Sequence, residues 1–136
     1  MIKSIHTDKA PKVVGPYSQA TEIGGLVFCS GQIGINPKTG ELVSGVEKQT
    51  TQVLKNLEAV LEESGANKKS VVKTTIFLAD INDYGKVNEL YETFFADHKP
   101  ARSTVAVAHL PKDALIEIEA TAVVVEQSQG GCCGNC

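Results

Sequence analysis

A two-residue alternation near the C-terminus restricts the possible folds most. Ile116, Ile118, Ala120, Ala122 and Val124 recur at every second position, with Leu115, Glu117, Glu119 and Thr121 between them. Successive side chains of a strand point to opposite faces, so this run is expected to bury one face and present carboxylates on the other. Upstream, Ser103, Val105 and Val107 alternate with Arg102, Thr104 and Ala106. Leu110–Asp113, with Pro111, reads as a turn between the two runs. Taken locally, the pair is expected to form a hairpin. Arg102, Thr104, Glu117 and Glu119 would then share one face, and Ser103 would turn toward the core. Arg102 is the only arginine in the chain. Its planar fork can grip a carboxylate with two hydrogen bonds and stays charged when partly buried. The structural alternative is an Arg–Glu cross-strand pair that fixes register, worth under about 1 kcal/mol if exposed.

The rest of the chain supplies the other elements. Ile2–His6 reads as a short strand, and Ala10–Pro16 as a loop broken by prolines. Tyr17–Glu22 and Leu26–Ser30 flank Gly24-Gly25, a hairpin signal. Asn36–Gly40 is a turn. Ser44 and Glu47 fit a capping box, followed by an apolar stripe of Val46, Val53, Leu54, Leu57, Val60 and Leu61 that ends at Gly65. Ser70–Ala79 is β-branched and aromatic, hence a strand. Acceptors at Asp80–Asp83 precede a second helical stripe of Tyr84, Val87, Tyr91, Phe94 and Phe95, read as packing. The order β-β-β-α-β-α-β-β is that of an α+β domain, a mixed sheet with two helices on one face. The other face would carry Lys73, Thr75, Phe77, Arg102, Thr104, Glu117, Glu119, Val123 and Val125. That mixture is too apolar to leave wet and too charged to bury alone, which suggests a second copy of the chain as its cover.

The chain has 136 residues, one domain by size. Residues 1–126 are expected to form it, with 127–136 a Gly/Cys-rich tail. A net charge of −3 gives no electrostatic footprint for nucleic acid or an anionic membrane. The first residues lack the apolar core of a secretory signal, and no run is long enough to span a membrane, so a cytoplasmic protein is the expectation. Cys29 sits in an apolar strand and reads as a core residue. His6, His98 and His109 are far apart without metal-ligand spacing. Ser103 has no His or Lys beside it in sequence that would make it a nucleophile. In the tail, Cys132, Cys133 and Cys136 end in a CxxC without a βαβ context, a weak signal for a metal or redox site.

Four blocks together resemble the RidA family, also known as YjgF. They are GPYSQA, FCSGQIGINPKTGE, VVKTTIFLADINDYGKVNELYETFF and PARSTVAVAHLPKDALIEIEA. The resemblance runs from about Ile2 to Val125. It implies a chorismate-mutase-like fold and a homotrimer with clefts between subunits. It also implies hydrolysis of 2-imino acids, and of enamine tautomers such as 2-aminoacrylate, to 2-oxo acids and ammonia. These intermediates leak from pyridoxal-phosphate dehydratases, and no cofactor is implied for the hydrolysis itself. By the same resemblance, Arg102 binds the carboxylate and Glu117 handles the attacking water. Tyr17 enters from the neighbouring subunit, and Ser30, Gly31 and Asn88 line the cleft. Thr104 stands where some members have cysteine. The link between α-helical and PARS blocks is only His98-Lys99, shorter than in some relatives.

The chemistry fits those residue types. A 2-imino acid is a small anion with an electrophilic carbon beside its carboxylate. Arg102 can fix its orientation, and a carboxylate can take a proton from water and return it to the leaving amine. Glu119 rivals Glu117 for that role. Arg102 is expected to favour the ionised carboxylate and burial to oppose it. A non-catalytic module that binds small carboxylates in the same cleft is the alternative. RNA-directed activity is disfavoured by the charge.

Overall fold

A computed structural model describes residues 1–125, and segment 127–136, with Cys132, Cys133 and Cys136, lies outside them. The elements are β1 (Lys3–Ile5), β2 (Ala20–Ile23), β3 (Leu26–Gln32), α1 (Val46–Glu63), β4 (Val71–Leu78), α2 (Tyr84–Phe95), β5 (Ala101–Ala106) and β6 (Ile116–Val123). Their order along the chain is the expected one. They form a six-stranded sheet ordered β1-β2-β3-β6-β4-β5. Every pairing is antiparallel except β4 with β5.

The expected hairpin of β5 with β6 does not form. β5 pairs in parallel with β4 at the sheet edge, while β6 lies between β3 and β4. The reason is the crossover. β4, α2 and β5 make a strand–helix–strand unit, and a helix between two strands brings the second back parallel to the first. The tight hairpin is instead the one between β2 and β3. Gly24 and Gly25 have φ of 58° and 85°, as a two-residue turn with both central residues left-handed requires.

Ile116, Ile118, Ala120 and Ala122 of β6 are buried toward the helices, as their alternation predicts, but Val124, expected on the same face, lies past the end of the strand and is exposed. Val27 and Cys29 of β3, and Val71, Ile76 and Leu78 of β4, join them. Val53, Leu54, Leu57, Val60 and Leu61 of α1 close the core from above. From α2 come Val87, Tyr91 and Phe95. Burial pushes the Cys29 thiol up to about 12, so it is an inert core residue. A bulge between Val71 and Lys73 turns Val72 outward.

The helix ends differ from expectation at one place. α1 is preceded by Gly45 with no side-chain cap, so the Ser44–Glu47 capping box is not made. At its other end the amides of Gly65 and Ala66 bond Glu62 O and Leu61 O, the paired pattern of a glycine-terminated helix. Asp80 accepts from Asn82 N at the single turn that leads into α2. His98 bonds Val71 O through Nε2 at 2.6 Å, a structural role. Among the described residues, no helix is long and apolar enough to cross a membrane.

Buried amides fix the loops that border the sheet. Gln19 accepts from Thr7 N and donates to Thr7 O and Pro11 O. Gln49 donates to Val43 O and accepts from Leu115 N. Asn56, 0% exposed, donates to Ile33 O and Ile35 O at 3.2 and 2.9 Å. Asn56→Ala strands two carbonyls and opens a small void. A loss of about 2–4 kcal/mol is expected, read as a lower urea midpoint at unchanged slope.

Candidate functional site

Pairing register decides which face each site residue occupies. Arg102 pairs with Thr74 and Thr104 with Ile76, and Thr74 and Ile76 are buried beneath the helices. Glu117 pairs with Phe77 and Glu119 with Thr75, on the uncovered face. Arg102 and Thr104 therefore lie on the helix side, opposite Glu117 and Glu119. The expectation of a shared face is overturned, and with it the cross-strand Arg–Glu pair. Ser103, paired with Thr75, lies exposed on the open face and not in the core. Alternation within β5 was read correctly; its phase relative to β6 depended on a pairing that does not exist.

Arg102 sits against one side of α2. Its Nη1 donates to Asn88 Oδ1 at 2.9 Å and its Nη2 to Tyr84 Oη at 2.7 Å. The guanidinium carbon lies 4.9 Å from the Tyr91 ring centroid and 5.5 Å from that of Tyr84. Residues 84, 88 and 91 follow helical spacing, so one stripe of α2 forms the cradle. Tyr91 is itself pinned by a 2.6 Å hydrogen bond to Thr74, and burial pushes its hydroxyl above the usual range. All these partners are neutral. Among the described residues the ion pair found is His6 with Asp8, just past the edge strand β1, so Arg102 is in no contact ion pair. The guanidinium borders a cavity of about 290 Å³ that also touches Asn88, Tyr91, Glu92, His98 and Lys99. The short His98–Pro100 link forms its rim. Thr104, two residues further along β5, has a buried hydroxyl without a partner among the described residues.

Tyr84 was missed by the helical pattern, which read it as packing. It is 42% exposed and touches Arg102. The available signal was chemical: Tyr84, Asn88 and Tyr91 give α2 a polar-tipped line beside its apolar stripe.

The second group of residues gathers on the open side near the end of β3. Glu117 is half-buried and lies directly over Gly31: a methyl group on Gly31 would sit 2.8 Å from Glu117 Cδ. Desolvation, then repulsion from Glu119, pushes the Glu117 carboxyl above its ordinary range. Arg102, on the other face, does not enter. Ser30 donates to Ser18 O at 2.6 Å, and its amide bonds Gln19 O. That tie holds the segment carrying Tyr17, whose ring is exposed. Tyr17, Gly31 and Lys112 border a cavity of about 240 Å³. The chain thus brings together Tyr17, Ser30, Gly31 and Glu117 as one group. Arg102, Asn88 and Thr104, with Tyr84, form the other.

Gly31→Ala tests how tightly the carboxylate is placed. The variant is expected to fold with little change in thermal midpoint, because a side chain and not backbone must yield. A crystal structure should show Glu117 swung away from position 31.

The chain matches the family model described as Endoribonuclease L-PSP over residues 7–124. It is 49% identical over 126 residues to the 2-iminobutanoate/2-iminopropanoate deaminase of Escherichia coli, covering 90% of this chain and 98% of that one. A Rid family protein of Yersinia pestis, called YyfA, superposes with a TM-score of 0.90 at 52% identity, covering 91% and 100% of the two chains. Escherichia coli TdcF, solved with bound serine, gives a TM-score of 0.86 at 44% identity over 90% and 98%. With 118 consecutive residues matched, 7 through 124, and this sheet order, the chain belongs to the YjgF/RidA family.

Proposed function

We propose that the protein hydrolyses small 2-imino acids and their enamine tautomers to 2-oxo acids and ammonia, in clefts built between subunits of a homotrimer. The observation that carries this reading is an Arg102 guanidinium that makes no contact ion pair among the described residues. It is oriented by neutral partners alone, which leaves its charge available to a small carboxylate. The name of the Escherichia coli relative and the serine held by TdcF agree with a small amino-acid-derived ligand.

The opposed faces set the architecture of the cleft. A strand-thick sheet separates Arg102 from Glu117 within one chain, so a cleft using both takes them from different chains. The open face supplies the apolar surface for such packing: Leu26, Phe28, Val105 and Val123 are exposed there.

In the proposed reaction, Arg102 holds the substrate carboxylate and Asn88 holds Arg102. The neighbour's Tyr17, with Ser30 and Gly31, walls the imine in. Glu117 takes a proton from water as the water oxygen bonds to the imine carbon, giving a tetrahedral carbinolamine. With the imine protonated at the start, Glu117 then returns that proton to nitrogen, giving an –NH3+ group. The C–N bond breaks, ammonia leaves, and the hydroxyl proton passes to Glu117 as the carbonyl of the 2-oxo acid forms; the departing ammonia carries that proton away as ammonium. Burial raises the Glu117 carboxyl, which strengthens it as a base, and a neighbour's Arg102 opposes that shift. Thr104 lies beside Arg102 in the wall, so no thiol takes part there. Dehydratases that release such imines are the class of enzyme that would supply the substrate. The family model's endoribonuclease description fits less well: a net charge of −3 offers little for a polyanion.

The direct test couples a serine or threonine dehydratase to semicarbazide capture of the released imine. Wild-type protein should divert the intermediate to oxo acid, and Arg102→Ala and Glu117→Gln should each lower that diversion at least a hundredfold. Mixing and co-refolding the two variants should restore about a quarter of the sites, if each cleft draws on two chains at random. Light scattering should give three chains per particle. Binding of 2-oxobutanoate without diversion would instead indicate a carboxylate sensor.

A further inference from the structure

We propose that Tyr84 completes the carboxylate clamp as a third donor beside Arg102, a role that rests on the imine-hydrolase reading above. The Tyr84 oxygen accepts from Arg102 Nη2 at 2.7 Å. A phenol oxygen that accepts from a guanidinium turns its own proton away from it. Accepting from a cation also polarises the O–H group and makes it a stronger donor. No other hydrogen bond of the Tyr84 hydroxyl occurs among the described residues, and the side chain is 42% exposed at the start of α2. The free proton therefore emerges next to the remaining guanidinium donors.

The fit to an anion is specific. Asn88 accepts from one N–H of Nη1 and Tyr84 from one N–H of Nη2, so three of the five guanidinium N–H groups remain for a ligand. Tyr84 takes one of the two N–H groups of Nη2, and its phenol O–H returns a donor beside the N–H that remains. It does so without adding negative charge, as an acid at this position would. Tyr91 differs: its hydroxyl is committed to Thr74 in the core, and it offers Arg102 only its ring. Tyr84 is thus both a positioning residue for Arg102 and a contact for the ligand carboxylate.

Tyr84→Phe keeps the ring and its stacking but removes the oxygen. The Kd for 2-oxobutanoate, by calorimetry on the assembled protein, and the KM for the captured imine should both rise roughly tenfold. The kcat should stay within twofold, because water activation is left to Glu117. The thermal midpoint should stay within a few degrees, and Tyr84→Leu should weaken binding at least as much. A change in Kd and KM below threefold, in a wild type that binds and turns over, overturns the role of Tyr84 and leaves the hydrolase reading intact. A fall in kcat at unchanged Kd also overturns it. A wild type that neither binds 2-oxobutanoate nor diverts the imine removes the hydrolase reading, and this inference with it.

Discussion

Strand alternation, fixed by the pairing of β6 between β3 and β4, governs nearly everything else in this molecule. Once Ile116, Ile118, Ala120 and Ala122 are committed to the helix-covered core, Glu117 and Glu119 have no choice but the open face. The same ladder carries through β4 to β5 and lifts Arg102 to the helix side, next to Thr74. A shift of one residue in either ladder would exchange these faces and expel the core. The separation of cation from carboxylate is therefore a by-product of core packing. It is held by the most deeply buried side chains of the chain.

Around that frame, polar groups are spent on placement. Gln19, Gln49 and Asn56 hold loop carbonyls and amides in positions that no apolar side chain could define. Buried amides of this kind stabilise only when every partner is met. Here they tie the Tyr17 loop and the segment after β3 to rigid elements. The Arg102 cradle follows the same logic with charge added. Aromatic faces and an amide oxygen stabilise the guanidinium without neutralising it.

Much of this was legible beforehand. Glycines at 24 and 25 marked the tight hairpin of β2 and β3, and the stripes of α1 and α2 marked the helices. The alternation of β6 separated core from surface residue by residue. What failed was long-range. Two neighbouring strand patterns suggested a local hairpin, whereas the intervening helix of the β4–α2–β5 unit dictated a parallel return. Without that pairing, the phase of Arg102 relative to Glu117 could not be set, since alternation gives parity within a strand and nothing across strands. The capping box at Ser44 failed for a smaller reason, as Gly45 takes the position before the helix. Tyr84 escaped notice because helical spacing cannot distinguish a ring that packs from one whose hydroxyl serves a neighbour. The family blocks carried the remaining residues, and local pattern alone would not have selected Glu117 over Glu119.

The uncovered sheet face has an implication for the life of the chain. Ile23, Leu26, Phe28, Val105 and Val123 are aliphatic or aromatic groups left in water by a solitary copy. In the homotrimer proposed above, other copies would cover them and bind the folded form and not the unfolded one, so the free energy of assembly would add to that of folding by mass action. The number of copies a cell makes would then enter the stability of each one.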